Sequence, residues 1–206
     1  MKVINGLSLK PNHKYFLECA KIHSKEIPGG FLPTLGLDFL SSLYEVFSKS
    51  KYSFLLLAIE DGRVVGFIAI SLHTKEFFRQ YLKTKIFKNL HQIPIVTFGK
   101  IFFIKSLEVF KYLFSNKTSS ETFISNSEVF NFCVDGCVQG KGVGQFLFLN
   151  AVDRLRMKRI KTLKIVTGQS QIDAQKFYYK SGAILSHKII VHDDEESVVF
   201  KYQING

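Results

Sequence analysis

The segment CVDGCVQGKGVGQFLFLNAV, from Cys133 to Val152, joins an apolar strand-like run to an apolar helix-like run. Its central turn, Gln139–Gly144, contains three glycines and one lysine. Glycine lets the main chain approach a ligand without a side chain in the way. The first N–H groups of a helix are unpaired and lie at the positive end of its dipole. Strand, turn and helix together therefore predict an anion site of the kind that holds a phosphate.

The spacing of the glycines excludes two common phosphate-binding loops. A P-loop requires Gly, four residues, and then Gly-Lys-Ser/Thr, but Gly136 and Gly140 enclose only three residues, and Gly142 follows Lys141. A dinucleotide-binding Gly-x-Gly-x-x-Gly motif would need a glycine where the chain has Gln145. The pattern that fits the turn is Gln-x-x-Gly-x-Gly.

A second segment, QIDAQKFYYKSGA at residues 171–183, carries Ala174, Tyr178 and Gly182 on a predicted helix and the turn after it. Together with the glycine turn it resembles the acyl-CoA-binding motifs of the GCN5-related N-acetyltransferase (GNAT) superfamily. Two positions depart from the family pattern, because Gln171 stands where Asn is usual and Ala183 where Phe is usual. The resemblance implies an acyl-CoA-dependent acyltransferase.

The pattern along the chain fits the order of elements in that family. Period-2 and period-3.6 patterns predict these elements: strand Val3–Leu9, helix His13 to about Lys25 with Asn12 as N-cap and Leu17 on its buried face, helix Leu37–Ser48, hairpin Tyr52–Ile59 with Val64–Leu72, strand Glu128–Val134, helix Gly142–Met157, strand Leu163–Thr167, helix Gln171–Ser181, and strands Ala183–His192 and Ser197–Gln203. The resemblance implies an α/β (α+β) fold, with a mixed, mostly antiparallel sheet whose parallel central strands splay apart. We expect one domain over residues 1–206.

Residues 74–127 have no counterpart in compact members of the family, and we predict a helical insertion there, broken near Pro94. From Lys75 to Lys117 it holds nine basic and two acidic residues, a surplus of +7 out of the net +11 of the whole chain. Such a surplus indicates a solvated helix face, an anionic acceptor or contact with a membrane surface, and the sequence leaves these alternatives open.

The resemblance implies that acetyl-CoA, or another acyl-CoA, lies along strand Glu128–Val134 with its diphosphate against the glycine turn. No metal is expected. The residues expected to bind the cofactor are Phe132, Cys133, Val134, Gln139, Gly140, Lys141, Gly142, Val143, Gly144, Gln145, Gln171 and Ala174.

The implied chemistry is direct attack of an uncharged amine on the thioester. Tyr178 occupies the motif position of the acid that protonates the departing sulfur. For the general base, Glu128 and His73 are the leading candidates, and His23 and Glu26 are further ones beside the turn-rich segment Ile27–Gly36.

The acceptor is not specified by the residues. A nucleotide-linked amino sugar suits the basic surplus, and the alternatives are a protein N-terminus, a small amine, or a non-catalytic acyl-CoA-binding regulatory module. A homodimer is an open alternative, and nucleic-acid binding is not expected. Three cysteines without a paired framework and a start without an apolar leader predict a cytoplasmic protein.

Overall fold

The computed structural model describes residues 1–30, 32–81, 124–192 and 195–204 of the chain. Within these residues the strands are β1 (Lys2–Asn5), β2 (Ser53–Glu60), β3 (Arg63–Ser71), β4 (Glu128–Val134), β5 (Thr162–Gly168), β6 (Ile184–His192) and β7 (Glu195–Gln203). The α-helices are α1 (Lys14–Glu26), α2 (Leu37–Lys49), α3 (Thr74–Tyr81), α4 (Val143–Met157) and α5 (Ile172–Lys180).

The strands form one sheet in the order β1-β2-β3-β4-β5-β7-β6. Every neighbouring pair is antiparallel except β4 and β5, which are parallel. The predicted fold class, a mixed and mostly antiparallel sheet with two parallel central strands, is therefore confirmed. The predicted bounds of β4 are reproduced without change.

Helices cover both faces of the sheet, and two apolar clusters hold them there. On one face α1, α2 and α3 pack on β2 and β3 around Phe16, Phe47 and Phe67. On the other face α4 and α5 pack around Phe148 and Phe200. Strand β2 is buried along almost its whole length, as expected for a strand with helices on both sides.

The β2–β3 hairpin fixes the register at the centre of the sheet. Its turn places Asp61 at φ 49° and Gly62 at φ 73°, the two positive φ values of a type I′ turn. The ladder then pairs Glu60 with Arg63 and continues to Ser53 and Ser71. The predicted hairpin is confirmed.

The N-terminal predictions need three corrections. The first strand ends at Asn5, because Gly6–Ser8 form a 3-10 turn capped by the Asn5 side chain. His13, and not Asn12, is the N-cap of α1, since its ring accepts a hydrogen bond from the Tyr15 N–H, and Asn12 has φ 56°. Leu17, predicted on the buried face, is 36% exposed.

The predicted insertion begins with helix α3, whose Phe77 is fully buried and packs against the Phe47 ring at 4.1 Å between ring centroids. The remainder of the predicted helical pair, from residue 82 to 123, lies outside the described residues. None of the helices in the described ranges is long and apolar enough to cross a membrane.

Candidate acyl-CoA site

A cleft opens between the two parallel strands at the centre of the sheet. Strands β4 and β5 pair only at Glu128 with Lys164 and at Val129 with Ile165. Beyond these pairs β4 continues to Val134 and β5 to Gly168. No strand of the described residues pairs with these two inner edges, so their main-chain groups are available to an extended ligand that binds as an added strand.

A β-bulge in β4 decides which main-chain groups face this cleft. Ala69 and Ile70 of β3 lie opposite Asn131 and Val129, so Phe130 is the extra residue. The bulge changes the side of the strand to which the main-chain groups point, as the hydrogen bonds before and after β4 show. Ser127 accepts from Lys164 on the β5 side, whereas Asp135, eight positions later, donates to Val65 on the β3 side.

Strict alternation would turn residues eight positions apart to the same side of a strand. Phe130 therefore reverses the pattern. Counting back from Asp135, the N–H groups of Val134 and Phe132 face the cleft, and those of Cys133 face β3. Within the predicted set of main-chain partners, Phe132 and Val134 are thus the cleft-facing pair.

The glycine turn lies at the end of β4, next to the open part of the cleft. Gly140 has φ +74° and Gly142 has φ +82°, and a Cβ added at either would meet no atom within 4 Å. The first helical hydrogen bond of α4 runs from the Phe146 N–H to the Gly142 carbonyl. The N–H groups of Val143, Gly144 and Gln145 therefore precede it, and the turn presents bare main-chain donors to an anion.

The side chains of Gln139 and Lys141 hold the turn together. Gln139 Nε2 donates to the Val134 carbonyl at 2.8 Å and to Glu26 Oε2 at 3.2 Å. Lys141 Nζ donates to the Cys137 carbonyl at 3.1 Å. Gln139 is thus a structural part of the turn, and its expected contact with a cofactor is through the main chain.

The C-terminal end of α1 is anchored to the same turn. Glu26 Oε1 accepts from the Gly136 N–H at 3.0 Å, and Lys25 Nζ lies 3.0 Å from Asp135 Oδ1. The Cys137 N–H and Lys25 lower the pKa of Asp135, and the hydrogen bonds to Asp135 and Glu26 raise the pKa of Lys25. Glu26, predicted as a further base candidate, is therefore engaged in holding the turn.

Tyr178 lies on α5 among the rings of Phe132, Phe148, Phe177 and Phe200. It is only 5% exposed, and its hydroxyl has no hydrogen-bond partner among the described residues. Burial is the largest cause that raises the pKa of this phenol above its usual value. The hydroxyl is therefore neutral at physiological pH and retains a proton to donate beside strand β4.

The leading base candidates lie at the opposite end of β4 from the glycine turn. Glu128 is at the start of the strand, with Oε2 3.4 Å from Lys164 Nζ. His73 follows β3 at the same end of the sheet, is exposed, and faces the Tyr52 ring edge-on at 6.3 Å between ring centroids. Strand β4 is about 20 Å long, so the structure does not bring either residue close to the turn.

The remaining predicted cofactor residues lie at the start of α5. Gln171 precedes the helix and its Oε1 accepts from the Gly168 N–H at 3.2 Å, so it closes the β5–α5 turn. Ala174 is half-buried against the same apolar cluster as Phe177. Thr167 of β5, not predicted from the sequence, has a buried hydroxyl with no partner in the described part of the chain.

Sequence reasoning missed Asn131, which lies in the bulge of β4. Its Nδ2 is 3.2 Å from Nε2 of His23, and its Oδ1 accepts from the Cys133 thiol at 3.1 Å. One signal could have found it, since Asn131 is the only polar residue in the interior of the apolar run EVFNFCV. A half-buried polar side chain among apolar neighbours is expected to have a specific partner.

The chain was compared with protein families, curated proteins and solved structures. No family model matches the chain, and no curated protein sequence matches it. Solved structures do match. A protein provisionally assigned as a GNAT-family acetyltransferase from Desulfovibrio desulfuricans is 11% identical, with 99% of each chain covered and a TM-score of 0.62. Ard1 from Thermoplasma volcanium is 14% identical, with 100% of this chain and 98% of that chain covered and a TM-score of 0.60.

A third similar structure is an aminoglycoside 6'-N-acetyltransferase complexed with coenzyme A, 11% identical, with coverage of 100% and 98% and a TM-score of 0.60. At such identities the likeness establishes the fold. The protein has the GNAT fold, as the two motifs predicted, with the splayed strands and the glycine turn at its centre.

Proposed function

We propose that the protein is an acyl-CoA-dependent N-acyltransferase that moves an acetyl group from acetyl-CoA to a primary amine. The observation that carries the proposal is the cleft between β4 and β5, which ends at a turn of bare main-chain N–H groups preceding α4. The aminoglycoside enzyme of the same fold is complexed with coenzyme A, which agrees with this assignment.

The residues present fit such a co-substrate. The turn is open at Gly140 and Gly142, where a Cβ would meet no atom within 4 Å, and this open space leaves room for a diphosphate that accepts hydrogen bonds from the main chain. The cleft-facing main-chain groups of Phe132 and Val134 suit an amide-containing arm that binds along the edge of β4. When bound, acetyl-CoA supplies the activated acetyl group.

In the proposed reaction a main-chain N–H of β4 polarises the thioester carbonyl as an oxyanion donor. The uncharged amine of the acceptor attacks the carbonyl carbon, the C–N bond forms, and the C–S bond breaks. Tyr178 donates its proton to the departing sulfur. The amine loses a proton to Glu128, to His73 or to solvent, and Tyr178 is reprotonated from solvent.

For the acceptor we propose an amine carried on an anionic molecule, such as a nucleotide-linked amino sugar. The support is charge, because residues 75–117 hold nine basic and two acidic residues. A second candidate is a protein N-terminus, since similar structures include the ribosomal-protein-S18-alanine N-acetyltransferase of Escherichia coli, with 12% identity, coverage of 100% and 94%, and a TM-score of 0.55.

The test is release of free thiol from acetyl-CoA against a panel of nucleotide amino sugars, free amino sugars, polyamines and peptides. Turnover that depends on one class of amine supports the proposal and identifies the acceptor. Binding of acetyl-CoA without turnover for any amine would favour a regulatory acyl-CoA-binding module instead. If calorimetry detects no binding of acetyl-CoA or CoA, the proposed function is wrong.

The anionic acceptor has its own test on helix α3. Lys75→Glu and Arg79→Glu reverse two exposed charges of the described insertion, and we expect the KM of an anionic acceptor to rise while the KM of acetyl-CoA stays the same. Lys158→Glu, in the exposed turn after α4, is the matched control. Equal effects of all three variants would contradict the anionic acceptor.

A further inference from the structure

Four polar side chains, three of them buried and one, Asn131, half-buried, form a hydrogen-bonded network between helix α2, helix α1 and strand β4. Tyr44 Oη is 2.5 Å from His23 Nδ1, and His23 Nε2 is 3.2 Å from Asn131 Nδ2. The Cys133 thiol donates to Asn131 Oδ1 at 3.1 Å. Tyr44 is fully buried and His23 is 2% exposed. Burying polar groups is costly unless each one finds its partner, so this network of side chains favours one arrangement of α1, α2 and β4.

The orientation of the hydrogen bonds follows from the donor groups. An amide nitrogen can only donate, so Asn131 Nδ2 donates to Nε2 of His23. The ring proton of His23 is then on Nδ1, facing the Tyr44 hydroxyl oxygen. Desolvation by burial lowers the pKa of His23 from 6.5 to about 4, so the ring is neutral at physiological pH. Both nitrogens are engaged and the ring is shielded from solvent, which leaves it unable to reach an acceptor proton as a general base.

The partner of His23 on the strand is a residue of the bulge. Phe130 and Asn131 are consecutive, yet both side chains lie on the face that α1 and α2 cover. The Phe130 ring packs against Phe47 at 4.6 Å between centroids, and Asn131 contacts His23. Consecutive side chains share a face only where a bulge interrupts the alternation of a strand. The hydrogen bond from Asn131 to His23 therefore exists only in the bulged register.

We propose that His23 is a positioning residue that holds the bulge of β4 through Asn131, and so directs the N–H of Phe132 at the thioester carbonyl. The inference rests on the proposed function, because it assigns the carbonyl donor of that same site. If the bulge were lost, alternation continuing from Val129 would turn the N–H groups of Asn131 and Cys133 to the cleft and that of Phe132 toward β3. The hydrogen bond between His23 and Asn131 thus determines which N–H group of β4 faces the carbonyl, although neither side chain touches the substrate.

The experiment uses acetyl-CoA carrying a ¹³C-labelled carbonyl, with two readouts. Isotope-edited infrared spectroscopy reports the hydrogen bond to the bound carbonyl as a shift of its stretching band to lower frequency. Calorimetry compares the affinity for acetyl-CoA with that for CoA, which lacks the carbonyl. For the wild type we expect a clear shift and a preference for acetyl-CoA. For His23→Ala we expect the shift to be lost and the two affinities to become equal, with the affinity for CoA retained.

Two further variants separate positioning from packing. In His23→Gln the amide oxygen can take the place of Nε2 and accept from Asn131, so the band shift should be restored. Cys19→Ala removes a fully buried side chain from the same face of α1, and should lower the melting temperature while the band shift stays as in the wild type.

Three results overturn the inference while leaving the proposed function intact: a wild-type band shift in His23→Ala, no rescue in His23→Gln, or loss of the shift in Cys19→Ala. If His23→Ala does not fold, Asn131→Ala carries the same test from the strand side. Failure of the wild type to bind either ligand would instead overturn the proposed function itself.

Discussion

Replacing Gly142 by alanine tests whether the glycine turn binds the diphosphate. Gly142 precedes α4 in the left-handed conformation, with φ 82° and ψ 0°. A Cβ there meets no atom within 4 Å, so the substitution causes no clash and acts through the backbone alone. Holding a residue other than glycine in this conformation costs about 1–2 kcal/mol.

If the turn can leave the left-handed conformation in the free protein, this cost weakens ligand binding; if it cannot, the cost lowers the stability of the fold. The hydrogen bonds that hold the turn belong to Gly136, Gln139 and Lys141, whereas within the described residues Gly142 is bonded only through its carbonyl, which accepts from the Phe146 N–H. The free Gly142→Ala protein should therefore leave the left-handed conformation, and the ligand must restore it on binding. A conformational cost of about 1–2 kcal/mol weakens the affinity for CoA about 5- to 30-fold.

Gly62→Ala is the matched control, because Gly62 also has a positive φ, +73°, and open space around a Cβ. Its turn cannot relax, since Glu60 and Arg63 are paired on either side of it. The cost should therefore appear as a melting temperature lower by about 2–8 °C, with the affinity for CoA unchanged. Calorimetric titration with CoA and thermal unfolding measure both quantities. Wild-type affinity in Gly142→Ala, or equally weakened binding in Gly62→Ala, would refute this reasoning.

Three further outcomes follow from side chains around the cleft. Tyr178→Phe should leave the affinity for acetyl-CoA unchanged and lower kcat by about 10²- to 10⁴-fold; unchanged thiol release would rule out Tyr178 as the acid. Thr167→Val replaces a buried hydroxyl without a described partner and should raise the free energy of unfolding by about 1 kcal/mol. Its control, Thr74→Val, loses a bonded hydroxyl and should lower the free energy of unfolding. Chemical denaturation measures both. His23 has its pKa lowered from 6.5 to about 4 in the folded state, so the unfolded chain binds the extra proton first as the pH falls. The free energy of unfolding should decrease by roughly 3 kcal/mol between pH 6.5 and pH 4, and equilibrium denaturation of His23→Gln should lack this component.

The elements that local pattern determines were predictable. The Asp61–Gly62 turn between two apolar runs specifies the central hairpin. The glycines at 140 and 142 mark the transition from β4 to α4, where the main chain takes positive φ. These features require no knowledge of distant residues, and the sequence predicted them with bounds within a residue or two of the structure.

The bulge in β4 was not predictable in the same way. Simple alternation along EVFNFCV places Val129, Asn131 and Cys133 on one face, whereas the structure assigns Val129 to the cluster of α4 and α5 and Cys133 to the cluster of α1 and α2. The two side chains of the bulge, Phe130 and Asn131, contact partners more than 50 residues away, the Phe47 ring and the His23 imidazole. A local pattern contains no information about such partners. For the same reason the sequence offered His23 and Glu26 as bases, since it shows their chemistry but not their contacts.

Two of the α1 side chains that contact the candidate site lie on one face of the helix. His23 and Glu26 are three positions apart, so their side chains are neighbours on the helix surface. His23 contacts the bulge through Asn131, and Glu26 holds the turn through the Gly136 N–H and Gln139. The first contact sets the donor proposed for the carbonyl, and the second sets the donors proposed for the diphosphate. In the proposed function this turn of α1 links the two ends of the cofactor site, and a displacement of α1 would move both sets of donors together. Three polar side chains at the C-terminal end of α1, those of His23, Lys25 and Glu26, therefore contact β4 and its turn, although the helix contributes no residue to the acyl-CoA motifs.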